Sequence, residues 1–422
     1  MLPAPNRINN YSDFDYQYTK GIAFLLMKKF CLVFGISLIY LNLLAQQVNQ
    51  SVFVISGQIM TDTGYNFNQI NPDYFDVLRP TQLPAYKNQY GTDGNVFFGV
   101  RQSMLGFNSS TQTRYGELTT RFAFDMFGVG VDAGQTTFHL LYAYAEMGMF
   151  GVGHNWGLFC DFDGFPNAVE YWGPSGMSLC KNVQLRFIPL NGRNRLAFAL
   201  ERPGASADQG VYRDRIELSD VNLKFDVPDL TAEFRATRRW GYVELAGAVR
   251  KIEWVDEGNE AYDLSGKVVG WGFNLSTNLK LSKKSLFIGQ TVIGKGIQNF
   301  MNDAPTDIGI ENDFGNANAP IKGVTLPLYG YTAYLNHQWN EKFSSIIGYS
   351  AVKIDNSNGQ SADAFRHGRY ASTNLLFKPF PNVTSGVELQ WINRENYKDG
   401  WTSSATKIQI SFRYSFKEEI KK

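Results

Sequence analysis

The chain has 422 residues, 44% of them hydrophobic and 15% aromatic, with a formal net charge of +1. After residue 45 no apolar run reaches the roughly 18 residues that a membrane-crossing helix needs, so a membrane role has to come from strands. A near-neutral chain lacks the basic stripe of a nucleic-acid binder, so no nucleic acid is expected as a partner, and the lack of any linker or low-complexity stretch favours one large unit over several domains.

At the N-terminus, Met27-Lys28-Lys29 precedes the apolar stretch 30–45, and Gln46-Gln47 follows it. Two lysines, a short greasy core and a small residue before a polar break are the three parts of a secretory signal. Residues 1–45 are therefore expected to be an upstream extension plus a signal peptide that starts at Met27 and is cleaved near Ala45, leaving 46–422 as a single domain. Cleavage removes Arg7, Lys20, Lys28, Lys29, Asp13 and Asp15, which leaves 36 basic against 37 acidic side chains. Cys31 leaves too, so Cys160 and Cys180 remain in an oxidising compartment.

From about residue 52 the chain reads as long amphipathic strands. Expected strands are 52–65, 94–107, 114–128, 136–149, 150–160, 181–189, 193–201 and 229–240. The second half continues with 241–255, 266–281, 284–299, 325–340, 342–355, 367–378, 381–396 and 405–416. Within 117–126, Leu118, Phe122, Phe124 and Met126 fall on one face and Glu117, Thr119, Arg121 and Asp125 on the other. The last strand repeats this, with Ile408, Ile410, Phe412, Tyr414 and Phe416 against Lys407, Gln409, Ser411 and Arg413, and a charged tail is expected after Phe416. Such strands are twice the length that a soluble sandwich uses and match a tilted membrane crossing.

Short and long connections take turns. The short ones fall at 109–113, 149–150, 191–192, 239–241, 281–283, 340–341 and 379–381, and the long ones at 66–93, 129–135, 161–180, 202–228, 256–265, 300–324, 356–366 and 397–404. This parity is expected of a membrane barrel with tight turns on one side and loops on the other. The fold expected is thus all-β, a transmembrane antiparallel β-barrel of about 16 strands, wide enough for an aqueous channel.

Selectivity in such a channel comes from charged side chains that line its narrow part. On the water-facing sides of the strands lie Arg101, Arg121, Arg186, Arg235, Arg250 and Arg394, with Lys181 at a strand start. The third long loop, 161–180, is expected to fold inward and set the width; its Asp161, Asp163 and Glu170 face these cations or hold the loop by salt bridges. A surplus of inward cations raises the local concentration of anions, and the planar fork of arginine suits carboxylates. Cys160 and Cys180 bracket the same loop, either as a disulfide worth about 3 kcal/mol or as two unrelated thiols. His139, His154, His337 and His367 come with no Gly-x-Ser-x-Gly elbow and no metal spacing, so no catalytic residue, metal or cofactor is expected.

Four stretches of the chain resemble the DcaP-like trimeric porins of the outer membrane of Gram-negative bacteria. The first is 156–176, with Asp161-Phe162-Asp163 and Glu170-Tyr171-Trp172-Gly173-Pro174-Ser175-Gly176; the second is Lys181-Asn182-Val183-Gln184-Leu185-Arg186-Phe187. The third is Trp240-Gly241-Tyr242-Val243-Glu244-Leu245 with Arg250, and the fourth Arg369-Tyr370-Ala371-Ser372-Thr373-Asn374 with Val387-Glu388-Leu389 and Arg394-Glu395-Asn396. The resemblance implies a homotrimer in outer-membrane lipid, an arginine-rich constriction and small anionic solutes that diffuse passively. The chain departs from the family around 139–144, where His139, Leu141 and Tyr142 stand in place of basic residues. A phosphate-selective porin is the nearest alternative, and a barrel hydrolase the alternative of another class.

Overall fold

A computed structural model of the chain describes residues 51–258 and 263–421; the expected leader and its cleavage near Ala45 lie outside them. In chain order the strands are β1 (Ser51–Asn66), β2 (Asn95–Gly99), β3 (Met104–Thr113), β4 (Gly116–Phe127), β5 (Thr136–Met147), β6 (Phe150–Trp156), β7 (Lys181–Asn191), β8 (Asn194–Glu201), β9 (Val221–Lys224) and β10 (Asp229–Arg238). There follow β11 (Gly241–Asp256), β12 (Gly266–Lys280), β13 (Ser285–Lys295), β14 (Ile308–Asn312), β15 (Ile321–Thr325), β16 (Pro327–Gln338), β17 (Phe343–Ile354), β18 (Phe365–Phe380), β19 (Val383–Asn396) and β20 (Thr402–Lys421).

Sixteen of these strands pair antiparallel, each with its neighbour, and β1 joins β20 over Val52↔Lys421 to Asn66↔Lys407, so the sheet closes with no free edge. Closure satisfies every ladder hydrogen bond, which hydrocarbon demands of any spanning strand. The short β2 and β9 continue the ladders of β3 and β10 past a break, and β14 and β15 form a separate hairpin in the sixth long connection.

Burial in this molecule is inverted relative to a soluble protein. On β20 Ile408, Ile410 and Phe412 are 36–53% exposed, while Lys407, Gln409 and Ser411 between them are 0–4% exposed. Alternation therefore sends the greasy side chains out to lipid and the polar ones into the lumen, as the sequence pattern predicts.

Several boundaries differ from expectation: the strand expected over 94–107 is broken at 100–103, β6 stops at Trp156 instead of 160, and the loop expected over 202–228 contains β9. The turn expected at 109–113 lies at Arg114-Tyr115, because the hydroxyl-rich stretch before it stays in the ladder and Gly116 takes the positive φ that the turn needs. Its threonines are β-branched and suit a strand, so their polarity misleads. The expected tail after Phe416 is strand as well: Lys417 to Lys421 pair with Ser56 to Val52, charged residues that sit beyond the apolar band and need only the backbone ladder. The stretch 300–324, expected as plain loop, contains β14.

Candidate functional site

The third loop, 157–180, enters the barrel and is fixed to wall after wall. Asn274 and Asn278 donate to Phe159 O and Asp163 O at 2.8 Å each. Asp161 is buried and accepts from Tyr242 Oη at 2.6 Å and Ser276 Oγ at 2.5 Å, with Arg235 Nη2 at 2.8 Å. Farther along, Asn374 donates to Asn167 O at 2.9 Å and Val169 N to Glu388 Oε2 at 2.6 Å. Tyr171 stacks on Phe127 at 3.8 Å and donates to Asp125 Oδ2 at 2.6 Å. On the way back Gly176 donates to Ser350 Oγ at 2.7 Å, so close to the wall that a Cβ would collide with Ala351 O.

Glu170 is as enclosed as Asp161. It accepts from Leu78 N at 2.9 Å and from Gly173 N, with Lys407 Nζ at 3.7 Å. Burial pushes its carboxyl up to about 7, although Lys407 and the two N–H bonds pull the other way.

Two other loops share the lumen, which the sequence pattern did not indicate. The first, 67–94, sets Ile70, Leu78 and Leu83 against Tyr370, Ile392 and Ala405 of the inner wall. The sixth, 296–326, packs Phe300, Met301 and Leu326 on Phe159, Ala246, Val292 and Val352. Asn302 and Asp303 of the sixth loop tie all three together. Asn302 donates to Trp172 O at 2.6 Å and to Pro174 O at 2.9 Å. Asp303 accepts from Arg79 Nε at 2.9 Å, Thr81 N at 3.0 Å and Thr81 Oγ1 at 2.5 Å, and the Arg79 guanidinium lies 4.1 Å over Trp172.

The cations named from sequence divide into two groups. Arg235 meets Asp161, Asp163 and Glu244 at once, and Arg250 has Asp229 at 3.3 Å and Asp307 at 3.1 Å. Arg101 is clamped by both oxygens of Asp76 and lies 3.9 Å over Phe127. Arg394 donates to Asn396 Oδ1, Thr81 O and Asp363 O at 2.8–3.0 Å. These four hold loops and strands in place. Arg121, Lys181 and Arg186 form the second group: among the described residues, none has a carboxylate within 4 Å. Arg121 lies 3.4 Å from the Tyr142 ring and Lys181 4.0 Å from the Trp156 ring, while Arg186, 5.5 Å from the Tyr144 ring, donates to Gln184 Oε1 at 2.6 Å and to Trp156 O. These aromatic partners were not among the expected site residues, and Trp156 is itself fixed by a bond from Nε1 to Tyr142 Oη at 2.7 Å and a stack on Phe162.

Of the loop-three acids, Asp161 and Glu170 are sealed, and only Asp163, 61% exposed at its side chain, faces water. The disulfide considered for Cys160 and Cys180 is not formed: both are free thiols. Cys160 Sγ lies 3.2 Å from Ser178 Oγ and accepts from Cys180 N at 3.1 Å. The hydrogen bond to Cys160, together with burial, holds the Cys180 thiol well above its ordinary value, and a thiol kept protonated is a poor nucleophile. Among the described residues no group of three His, Cys, Asp or Glu could hold a metal ion.

Among solved structures, the outer membrane channel DcaP of Acinetobacter baumannii superimposes with a TM-score of 0.72 at 16% identity, over 87% of this chain and 97% of that one. The anion-selective porin from Comamonas acidovorans gives 0.55 at 10% identity over 87% and 100%, and OmpT of Vibrio cholerae 0.51 at 12% over 87% and 98%. A sequence comparison with curated proteins returned no match. The family is one of outer membrane proteins, and the DcaP and Comamonas neighbours are a channel and a porin rather than enzymes, which places the barrel in the outer membrane of a Gram-negative bacterium as a channel. The family model for DcaP outer membrane protein matches residues 45–416, nearly the whole described chain, and the protein belongs to that family.

Proposed function

We propose that the channel passes small hydrophilic anions, carboxylates in particular, by diffusion through a basic constriction. The observation that carries this is the trio Arg121, Lys181 and Arg186: cations on the inner wall that no carboxylate neutralises. Aromatic rings beside them keep the charges in place without cancelling them, since a cation over a ring keeps its full charge. Of the loop-three acids only Asp163 reaches water, and it is paired with Arg235, so it leaves the charge of the trio uncancelled. Reversal potentials across a salt gradient test this: a preference for anions is expected, and equal permeability or a cation preference removes it.

The same reading includes a homotrimer. Outward positions near the periplasmic end of β3, β4 and β5 carry Ser109 and Thr120, hydrogen bonded at 2.7 Å, and the small Ala143 and Ala145. Hydroxyls and methyls on an outer wall suit close packing against protein better than contact with lipid. A trimer form of OmpT of Vibrio cholerae shares the fold at a TM-score of 0.52. Cross-linking in detergent is expected to give three chains, with conductance in triplet steps. Residues 27–45 are read as the signal peptide, and N-terminal sequencing of membrane-extracted protein should start near Gln46.

A further inference from the structure

The outer wall has a dent that the barrel does not require. Ala232 on β10 and Gly247 on β11 face each other across the ladder, both on the lipid side. Around them stand Phe187, Phe198, Leu230, Val249, Trp271 and Phe273, all pointing outward. The result is an apolar hollow of about 670 Å³ between β6 and β12. Gly247 is not there for its backbone: it has no positive φ, and a Cβ on it would meet nothing nearer than 3.8 Å. The backbone would accept a larger side chain here, and one would project into the hollow, so the hollow is a property of this sequence and not of the fold.

Lysines stand directly above. β11 rises from its periplasmic end at Gly241, and at about 3.3 Å per residue with a tilt of about 40° Lys251 comes about 25 Å up the wall, the height of the apolar band. Lys251 thus marks the outer-leaflet boundary. Lys267 opposes Glu253 on the next strand, Lys224 opposes Glu253 from β9, and Lys295 opposes Trp271. Among the described residues two acids pair with these four lysines: Glu253 with Lys224 and Lys251, and Asp226 with Lys251 at 2.8 Å. Lys267 and Lys295 have no carboxylate within 4 Å among the described residues. An apolar hollow at hydrocarbon depth under surplus positive charge at headgroup depth complements a phosphate-bearing lipid.

We propose that this face binds one phosphorylated glycolipid of the outer leaflet, with an acyl chain over Ala232 and Gly247 and a phosphate among Lys251, Lys267 and Lys295. The proposal is independent of the anion reading, because the site lies on the opposite side of the wall from the lumen.

Native mass spectrometry of the full, detergent-extracted protein titrated with lipid A tests it. Wild-type protein is expected to retain one lipid A, and monophosphoryl lipid A to bind several-fold more weakly. Lys267→Gln with Lys295→Gln should weaken lipid A about 25-fold, since each lysine near an anionic headgroup contributes about fivefold. Gly247→Leu, which excludes the chain, should weaken both lipids by about tenfold or more, with conductance unchanged as proof of folding. The proposal falls if these variants bind lipid A as wild type does, if loss of a phosphate makes no difference, or if a photo-crosslinker at position 247 captures a second copy of the chain in place of lipid.

Discussion

The inner wall has two halves, both rich in arginine and lysine, that put these residues to different use. On β10, β11 and the stretch from β18 to β20, the cations end on carboxylates or carbonyls, many of them supplied by inward-folded loops: Arg235 on Asp161 and Asp163, Arg250 on Asp307, Arg394 on Thr81 O and Asp363 O, and Lys407 on Glu170. On β4 and β7 no carboxylate lies within 4 Å of them among the described residues: Arg121 and Lys181 end on aromatic rings, and Arg186 on Gln184 Oε1 and Trp156 O beside the Tyr144 ring, with donors left over. An ion pair buried away from water contributes little net stability yet is costly to break, so the first half is a frame that tolerates no loss. In the second half the unspent charge is available to a solute. Residue type alone does not distinguish the two roles; the count of satisfied donors does.

The strongest test of the frame is Asp303→Ala, at the clasp between three loops. It strands Arg79 and the Thr81 N–H together, and a broken buried pair costs about 3–5 kcal/mol. Loops one and three should come loose, with larger and noisier single-channel conductance; a quiet trace at the wild-type level would show that the clasp does not hold the constriction. Arg250→Gln is next. It leaves Asp229 and Asp307 buried without a cation, Asp307 keeping only the bonds from Ser206 and Asn299, and should lower the melting temperature by a similar loss, while the reversal potential stays as in wild type. The reciprocal change, Arg121→Gln with Lys181→Gln and Arg186→Gln, should leave melting almost untouched and bring the anion-to-cation permeability ratio close to unity, each charge contributing about 1 kcal/mol at contact in water. If selectivity follows Arg250 and ignores the trio, the division between frame and solute path is wrong.

The staves of the barrel were legible because alternation with period two and the parity of turns are local properties, visible in stretches such as 117–126 or 405–416. The inward loops were less so. Their signature is present but inverted: Val292-Ile293, Leu328-Tyr329 and Ala351-Val352 are apolar on both faces, which a wall wetted on the inside has no reason to be, and the inward members Val292, Leu328 and Val352 are the ones the third and sixth loops cover. For the cations, strand parity told which way each side chain points and nothing of what waits there. Asp76 and Asp307 come from loops far along the chain, so Arg101 and Arg250 looked as free as Arg121. Tyr142 and Tyr144 were not read as lining because a register shift on β5, between Leu140 and Tyr142, turns them inward against the simple pattern; Trp156 lies at the end of β6, opposite Lys181.

A finer test of the frame uses pH. The Glu170 carboxyl, pushed from an ordinary 4.5 up to about 7, binds its proton more tightly with the loop docked than with it released into water. Between these two values the docked state holds more protons, so docking weakens as pH rises from 4.5 and has lost its full share above 7, about 3 kcal/mol at most. Loop-three fluctuations, read as conductance noise, should therefore grow from pH 5 to pH 8. Glu170→Gln separates this from other titrations. Its amide has one acceptor where the carboxylate has two oxygens for Leu78 N and Gly173 N, so one N–H is left unpaired at a cost of about 1–3 kcal/mol. The variant should be noisier than wild type at pH 5 and flat from there to pH 8. A variant that keeps the wild-type slope would mean that a group other than Glu170 carries the pH dependence.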